Sequence, residues 1–313
     1  MTSYVVVGAG AVGGAIGGGL ALAGHHVTLV ARGAHLDALR ARGLTLVMPR
    51  ETHVLRLPVT ASVGDVALRD RIVIVATKSQ DTAAALAPIA ERNVSIVCAQ
   101  NGVANERLAS ERFDEVLGLV VFAPLAHLEP GVVRIHSKTT LGGLELGLWP
   151  TGTSPRAEEI VRDLAGAGFD ARATADIRAW KYGKLLSNLG NVLEAIGGRA
   201  ALKRPWLAPL IGEAERCLAA SGEHWVSLDD LRARFANVDD DGERGGGSTW
   251  QSLARGTPLE TDALNGEIVR MGHALGIPTP ANEAMVALAR RAETEHWAPG
   301  DHIEEITLAL AGT

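Results

Sequence analysis

The unbroken apolar run Tyr4–Val7 leads directly into Gly8-Ala9-Gly10-Ala11-Val12-Gly13, a G-x-G-x-x-G turn that opens a run of small residues. This junction restricts the fold more than any other part of the chain. A buried strand must end in a tight turn, and a helix must start so close to that strand that side chains are excluded. Gly8 permits the turn, Gly10 lets the backbone approach a ligand, and Gly13 allows helix to pack on strand. A dinucleotide pyrophosphate placed against the helix N-terminus would be held by Gly8, Gly10, Ala11, Val12 and Gly13. The competing reading is a glycine-rich turn with no ligand. Eight of the chain's 36 glycines fall within the first 24 residues, and this junction accounts for most of them.

The pattern that follows sets the fold class. Tyr4–Val7, Val27–Val30, Ile72–Ala76 and Val94–Cys98 read as strands buried on both faces, with helical stretches between several of them. That rhythm predicts an α/β protein whose N-terminal part is a Rossmann-type, doubly wound sheet. Val116–Ala123, Val132–Ile135 and Leu144–Leu148 are expected to continue the sheet, partly antiparallel, and Ala157–Gly166 reads as a helix. From about Ala175 the spacing is helical: Ala179–Ile196, Leu207–Ala220, Leu228–Ala236 and Leu259–Leu275 carry apolar residues every three or four positions. An all-helical C-terminal domain is therefore expected, with domains over 1–172 and 173–313. Asp239–Gly247, acidic and then glycine-rich, reads as a mobile loop. The aromatic residues divide the same way: Tyr4, Phe113 and Phe122 precede Trp149, while five of six tryptophans lie at or beyond Trp180.

Charge and cysteine content remove several classes. A net charge of −6 gives no electrostatic basis for nucleic acid or anionic membrane as a partner. Two cysteines, Cys98 and Cys217, make no disulfide framework and suit a reducing compartment. The start lacks a basic segment ahead of its apolar run, as a secretion signal would have, and no apolar stretch reaches membrane-spanning length. The expected location is the cytoplasm. Asn237–Gly242 begins like a calcium loop but has Ser248 at the twelfth position, and the histidines show no metal-ligand spacing, so no metal is expected.

At the end of the second strand, where an NAD enzyme usually carries Asp or Glu for the ribose 2′-hydroxyl, the chain has Val30-Ala31-Arg32. A planar guanidinium suits a 2′-phosphate, so NADP is expected over NAD, unless Arg32 is simply a solvated loop residue. Lys78 and Asn101 each follow a strand at the carboxyl edge of the sheet, where open α/β sheets bind ligands, although a loop lysine and a turn-forming Asn-Gly would look the same. Lys184 and Asn188 stand four apart on one expected helix, with Asn191 close to the same face. Glu260 follows Pro258 and could occupy a first helical turn for its charge alone.

Five segments together resemble the 2-dehydropantoate 2-reductases, or ketopantoate reductases. They are GAGAVGG at 8–14, VATKSQ at 75–80, AQNG at 99–102, WKYGKLLSN at 180–188 and LETDALNGEIVRMGHALGIPTPAN at 259–282. The resemblance runs over essentially the whole chain. It implies a cytoplasmic oxidoreductase that uses NADPH to reduce a small branched 2-oxo acid, with the substrate in a cleft between the domains. It implies Lys184 as the catalytic lysine, with Lys181 as nearest competitor, and Glu260 as the acid that holds the substrate hydroxyl. Lys78 would lie near cofactor and substrate. Asn101 would bind substrate or the nicotinamide end, Asn188 the substrate, and Ser248 the substrate carboxylate. Asn265 would be structural or on the adenine side. An ammonium aimed at the ketone oxygen would stabilise the developing alkoxide and donate its proton. A homodimer is compatible with this reading.

The chain departs from the family pattern in two places. A second asparagine is usual eight residues after the catalytic lysine, and here that position is Val192, with Asn191 one earlier. The stretch IGGRAALKRPW at 196–206 offers no counterpart to a later Asn-Gly. Reduction therefore carries over better than pantoate specificity. A same-family reductase of another 2-oxo acid or ketone, and a non-catalytic NADP sensor, stay open as alternatives.

Overall fold

The structure, a computed structural model, describes residues 1–311 and divides into two compact units. The first contains Met1–Lys181 and Asp230–Arg244; the second contains Tyr182–Asp229 and the chain from Gly245 onward. No helix among the described residues is long and apolar enough to cross a membrane.

The first unit opens with β1 (Ser3–Val7), α1 (Ala11–Leu22), β2 (His26–Val30), α2 (Gly33–Arg42), β3 (Leu44–Val47), β4 (Thr52–Leu55), β5 (Val59–Thr60) and β6 (Ile72–Val75). It continues with α3 (Thr82–Leu86), β7 (Ser95–Cys98), α4 (Ala104–Ser110), β8 (Glu115–Phe122), β9 (Leu125–Ala126), β10 (Val132–Ile135), β11 (Gly143–Leu148), α5 (Pro155–Gly166) and β12 (Asp170–Ala173). The large sheet has the order β12-β11-β8-β7-β6-β1-β2-β5. Strands β5 through β8 in that order are parallel, and β11 pairs antiparallel with β8. The chain winds outward from β1 through β2 to β5 and then returns to β6, so strand order reverses between β1 and β6. Open α/β sheets bind ligands at such a reversal.

The expectation that Val132–Ile135 extends this sheet is not met. It forms β10 of a second sheet ordered β4-β3-β10-β9, parallel to β3 and antiparallel to β9. In the large sheet β8 lies between β7 and β11, so the chain leaves that sheet after β8 and returns to it at β11. Helix α1 packs against strands of both sheets, and Gly13 to Leu20 are all buried. A Cβ on Gly14 would stand 2.7 Å from Val133 Cγ2, and one on Gly17 would stand 2.8 Å from Leu29 Cδ2. The helix is small-sided all round because it is covered all round.

Glycines also make room on the large sheet. Gly118 of β8 and Gly147 of β11 are register partners. Cβ atoms there would meet Ile177 Cγ1 at 2.9 Å and the Thr174 carbonyl oxygen at 2.3 Å. The first turn of α6 (Ile177–Asn188) rests in that gap.

Segment 230–244, which includes the end of α9 (Leu228–Arg234), closes over β11. The buried Arg234 pairs with Glu145 through Nε and with Asp170 Oδ2 at 2.8 Å through Nη1. Phe235 stacks on Phe122, with centroids 5.0 Å apart, over the bare backbone of Gly143. The acidic stretch expected to form a mobile loop is hydrogen-bonded in its first half. Asp239 Oδ1 accepts from Ser137 Oγ at 3.0 Å and from the Lys138 amide at 2.8 Å, and Asp241 Oδ1 lies 3.0 Å from His136 Nδ1.

The second unit is helical, with the C-terminal part of α6, then α7 (Asn191–Ala201), α8 (Leu207–Ala220), α10 (Ser248–Ala254), α11 (Asn265–Leu275), α12 (Pro280–Thr294) and α13 (Ile303–Leu310). Two helices expected to be continuous are broken. Ala179–Ile196 divides between Asn188 and Asn191, where Asn265 Nδ2 donates to the Leu189 carbonyl at 3.3 Å. Leu259–Leu275 becomes a 3-10 turn at Thr261–Ala263 followed by α11, because Leu264 adopts φ −108°, ψ −90°. Asn191 therefore begins a new helix and does not share the helix of Lys184 and Asn188.

Removing the guanidinium in Arg234→Met strands the buried Glu145 carboxylate. The expected loss is about 3–5 kcal/mol of unfolding free energy, read from urea denaturation. A double variant, Arg234→Met with Glu145→Met, is expected to recover a large part of it; failure to recover would place the cost in packing and not in charge.

Candidate functional site

At the strand-order reversal, the end of β1 and the end of β6 come into backbone contact. Gly8 has φ +95°, and a Cβ there would stand 2.7 Å from the Thr77 amide nitrogen. A Cβ on Gly13 would stand 2.0 Å from the Gly8 carbonyl oxygen, so the turn closes only with glycine at both positions. The Gly8 amide donates to the Val30 carbonyl at 2.9 Å, which ties the turn to the end of β2. Gly10 differs. A Cβ there would meet only His127 Cδ2, at 3.9 Å, so its outer face is open. Helix α1 starts at Ala11 with no side-chain cap and no acidic residue in its first turn. The amides of Ala11, Val12 and Gly13 therefore belong to an exposed positive helix end.

Two histidines border this loop. His35 Nε2 hydrogen-bonds the Ala9 carbonyl at 2.8 Å, and its Nδ1 accepts from the Gly131 amide at 2.9 Å. Burial holds this imidazole below the ordinary histidine range, in keeping with a neutral ring that donates on one side and accepts on the other. His127 packs edge-on against it at 4.5 Å. Nothing in the residue pattern pointed to either: His35 stands in the first turn of α2 and His127 in the loop after β9, neither within a motif. Thr77 Oγ1 is buried and has no hydrogen-bond partner among the described residues. A glycine cradle, a bare helix end and an orphaned hydroxyl together fit a bound dinucleotide phosphate.

Arg32 lies just beyond β2, exposed, in extended backbone at the N-cap of α2. Lys78 is half-buried and precedes the 3-10 turn Ser79–Asp81. The turns of Lys78 and Asn101 adjoin, because Ser79 Oγ donates to the Asn101 carbonyl at 3.3 Å. A buried polar network lies beneath them. Asn105 Nδ2 donates to the same Asn101 carbonyl at 2.9 Å and to Ser79 Oγ at 3.2 Å, and Thr82 Oγ1 donates to Asn105 Oδ1 at 2.7 Å. Gln100 Nε2 donates to Thr82 Oγ1 at 2.9 Å. Lys181 Nζ donates to the Gln100 carbonyl at 2.6 Å and lies 2.6 Å from Glu106 Oε1.

In the second unit, Lys184 is half-buried on α6 and Asn188 is buried one turn later on the same face. The end of that helix is set by a buried amide network. Asn265 holds the Leu189 carbonyl and bonds Asn282 Oδ1 at 3.1 Å, and Asn282 Nδ2 reaches Glu213 Oε2 at 2.7 Å. Glu213 also accepts the amides of Ala281 and Asn282 at the start of α12. Asn265 thus has a structural part in the second unit. Ser248, exposed, begins α10 next to Gly247, whose amide donates to Glu194 Oε2 at 3.0 Å. Glu260 is half-buried at the N-cap of the 3-10 turn Thr261–Ala263, and the first helical turn suggested by Pro258 does not form. Val192, at the position where the family usually has asparagine, is buried.

Residues 4–150 match the model of the family described as Ketopantoate reductase PanE/ApbA, and residues 176–293 match its C-terminal model. The chain belongs to the ketopantoate reductase family. Members are NADPH-dependent oxidoreductases acting between a carbonyl and an alcohol, and the chain is an enzyme of this class. A 2-dehydropantoate 2-reductase of Mesorhizobium japonicum is 30% identical, the alignment covering 93% of this chain and 97% of that protein. One from Pyrococcus horikoshii is 28% identical over 92% of this chain and 97% of its own length. Among solved structures, a PanE/ApbA family ketopantoate reductase from Ralstonia eutropha JMP134 superposes with a TM-score of 0.78 at 30% identity, over 94% of this chain and 99% of the other. D-mandelate dehydrogenase, 20% identical, shares the fold with a TM-score of 0.79 over 94% of this chain and 99% of its own.

The cradle gives a direct test. Gly10→Ala has room for its methyl inside the protein, so its melting temperature is expected to stay within about 2 °C of wild type. Its dissociation constant for NADPH is expected to rise by on the order of tenfold or more, because the methyl fills the face a pyrophosphate approaches. Gly13→Ala, by contrast, is expected to lose stability as well. Unchanged NADPH affinity in Gly10→Ala would remove the phosphate from this loop.

Proposed function

We propose that the chain reduces a small branched 2-oxo acid with NADPH, and that 2-dehydropantoate, giving pantoate, is its substrate. The observation that carries the reading is the contrast between two lysines one turn apart on α6. Lys181 is 2% exposed and engaged by Glu106 and the Gln100 carbonyl, whereas Lys184 is half-buried on the face it shares with Asn188. Of the two, Lys184 is the one that keeps solvent-accessible surface. The names of the relatives support the substrate, since both the bacterial and the archaeal protein are 2-dehydropantoate 2-reductases.

The bound reduced nicotinamide supplies the hydride. Gly10, Ala11, Val12 and Gly13 take the pyrophosphate through backbone amides, Gly8 shapes the turn beneath them, and Arg32 takes the 2′-phosphate. Lys78 and Asn101, at the carboxyl edge of the sheet, face the cofactor and substrate side. Lys184 holds an ammonium at the ketone oxygen, where it stabilises the growing negative charge and gives up its proton as general acid. Glu260 accepts from the substrate hydroxyl, and Ser248 and Asn188 bind the rest of the substrate.

A second reading keeps the chemistry and changes the substrate. It is favoured by Val192, an apolar residue where the family pattern has a substrate-side asparagine. D-mandelate dehydrogenase, solved with NADH and anilino(oxo)acetate, shows this fold holding another oxo acid. A panel of 2-oxo acids, with NADPH oxidation followed by absorbance, decides between the two by the highest kcat/KM.

Lys184→Ala is expected to lower kcat by about 10²–10³-fold on the best substrate. A kcat within about threefold of wild type would overturn the general-acid role. Arg32→Ala is expected to raise KM for NADPH by on the order of tenfold while leaving KM for NADH nearly unchanged. An equal rise in both would take Arg32 off the 2′-phosphate, and no change in either would leave it out of the cofactor site.

A further inference from the structure

The buried ion pair between Lys181 and Glu106 lies outside the set of groups placed on the substrate. Lys181 is 2% exposed and Glu106 is fully buried, on α6 and α4 respectively. Such a pair is weak evidence for stability, because desolvation offsets most of the attraction and an apolar pair of similar volume often does as well. Its value must then be sought in what it holds. Lys181 Nζ donates to the Gln100 carbonyl at 2.6 Å, and Gln100 is the residue before Asn101. From the other side, Asn105 Nδ2 and Ser79 Oγ hold the Asn101 carbonyl at 2.9 and 3.3 Å. The peptide carbonyls on both sides of the Asn101 Cα are thus hydrogen-bonded by Lys181, Asn105 and Ser79, which fixes the direction in which the Asn101 side chain leaves the backbone. Glu106 stands in the first turn of the helix that follows the same loop, and it is Glu106 that fixes where the ammonium sits.

We propose that Lys181 and Glu106 form a positioning device that orients Asn101 toward the substrate. Lys181 contributes the hydrogen bond and Glu106 holds Lys181 in place. The proposal rests on the reading of Asn101 as a substrate-side residue, and the test separates the two.

Removing either charge alone strands the other in the interior, so single variants that fold poorly decide nothing. The informative protein is Lys181→Met with Glu106→Leu, which replaces the pair by apolar groups. Its melting temperature is expected within a few degrees of wild type. Its NADPH dissociation constant, measured by titration calorimetry, is expected within about threefold, since the glycine loop is untouched. Its kcat/KM for the preferred 2-oxo acid is expected to fall on the order of tenfold to a hundredfold, because the turn has lost its lower hydrogen bond. Asn101→Ala in the wild-type background is expected to cost a similar factor, and the same change in the double variant is expected to add little. Should the double variant not fold, Glu106→Gln, which keeps the volume, takes its place in the same cycle with a smaller drop expected.

A double variant with wild-type kcat/KM overturns the proposal. So does a fully multiplicative effect of Asn101→Ala, or a fall in NADPH affinity parallel to the fall in kcat/KM, which would mark general damage to the first unit. A silent Asn101→Ala in the wild-type background also overturns it; that result removes Asn101 from the substrate set while leaving the Lys184 assignment intact.

Discussion

The first unit depends on how closely α1 approaches the sheet edge between β1 and β6. The Gly8 carbonyl would lie 2.0 Å from a Cβ on Gly13, and the Thr77 amide 2.7 Å from one on Gly8. No side chain larger than hydrogen satisfies both distances. Because the helix starts there, its body lies between the two sheets, and Gly14, Gly17, Gly18 and Gly19 follow from being covered on every side. The same approach aims the helix N-terminus at the reversal in strand order and leaves only Gly10 open outward. One packing constraint thus produces both the local composition and a place for a negatively charged ligand.

The loops at the sheet edge are held by buried polar groups, and the second unit uses the same device. Lys181, Asn105 and Ser79 bond the backbone around Asn101. Glu213, Asn282 and Asn265 form a relay that ends on the carbonyl next to Asn188. Glu194 holds the amide next to Ser248. In each case the group proposed to meet substrate is steadied through a neighbouring peptide unit. Buried networks of this kind cost desolvation and return direction.

Much of this was legible in the chain because it concerned local rules. The strands β1, β2, β6 and β7 stand within a residue of the apolar runs that predicted them, since continuous β-branched runs are what a sheet covered on both faces requires. Helix α8 was legible from its spacing alone. The second sheet was not: its four strands are short, and β10 pairs with β3, so that Val132 stands opposite Thr45 although the two are far apart in the chain. The break after Asn188 was also hidden. Leu189-Gly190-Asn191 keeps a helical pattern, and the competing hydrogen bond to the Leu189 carbonyl comes from Asn265, far along the chain.

The glycine junction, the parallel sheet built on it, the helical character of the second half and the resemblance to ketopantoate reductases all follow from the order of the residues alone. Each of these is written in spacing or in short ordered motifs. Which of two lysines one turn apart is buried and which keeps exposed surface depends on long-range packing. Both carry the same charge on the same helix, and only the packed position of Glu106 and the Gln100 carbonyl distinguishes them. Long-range packing also decided where Arg234, Phe235 and Asp239 go, because the partners of that acidic stretch lie about a hundred residues away and leave no trace in its composition.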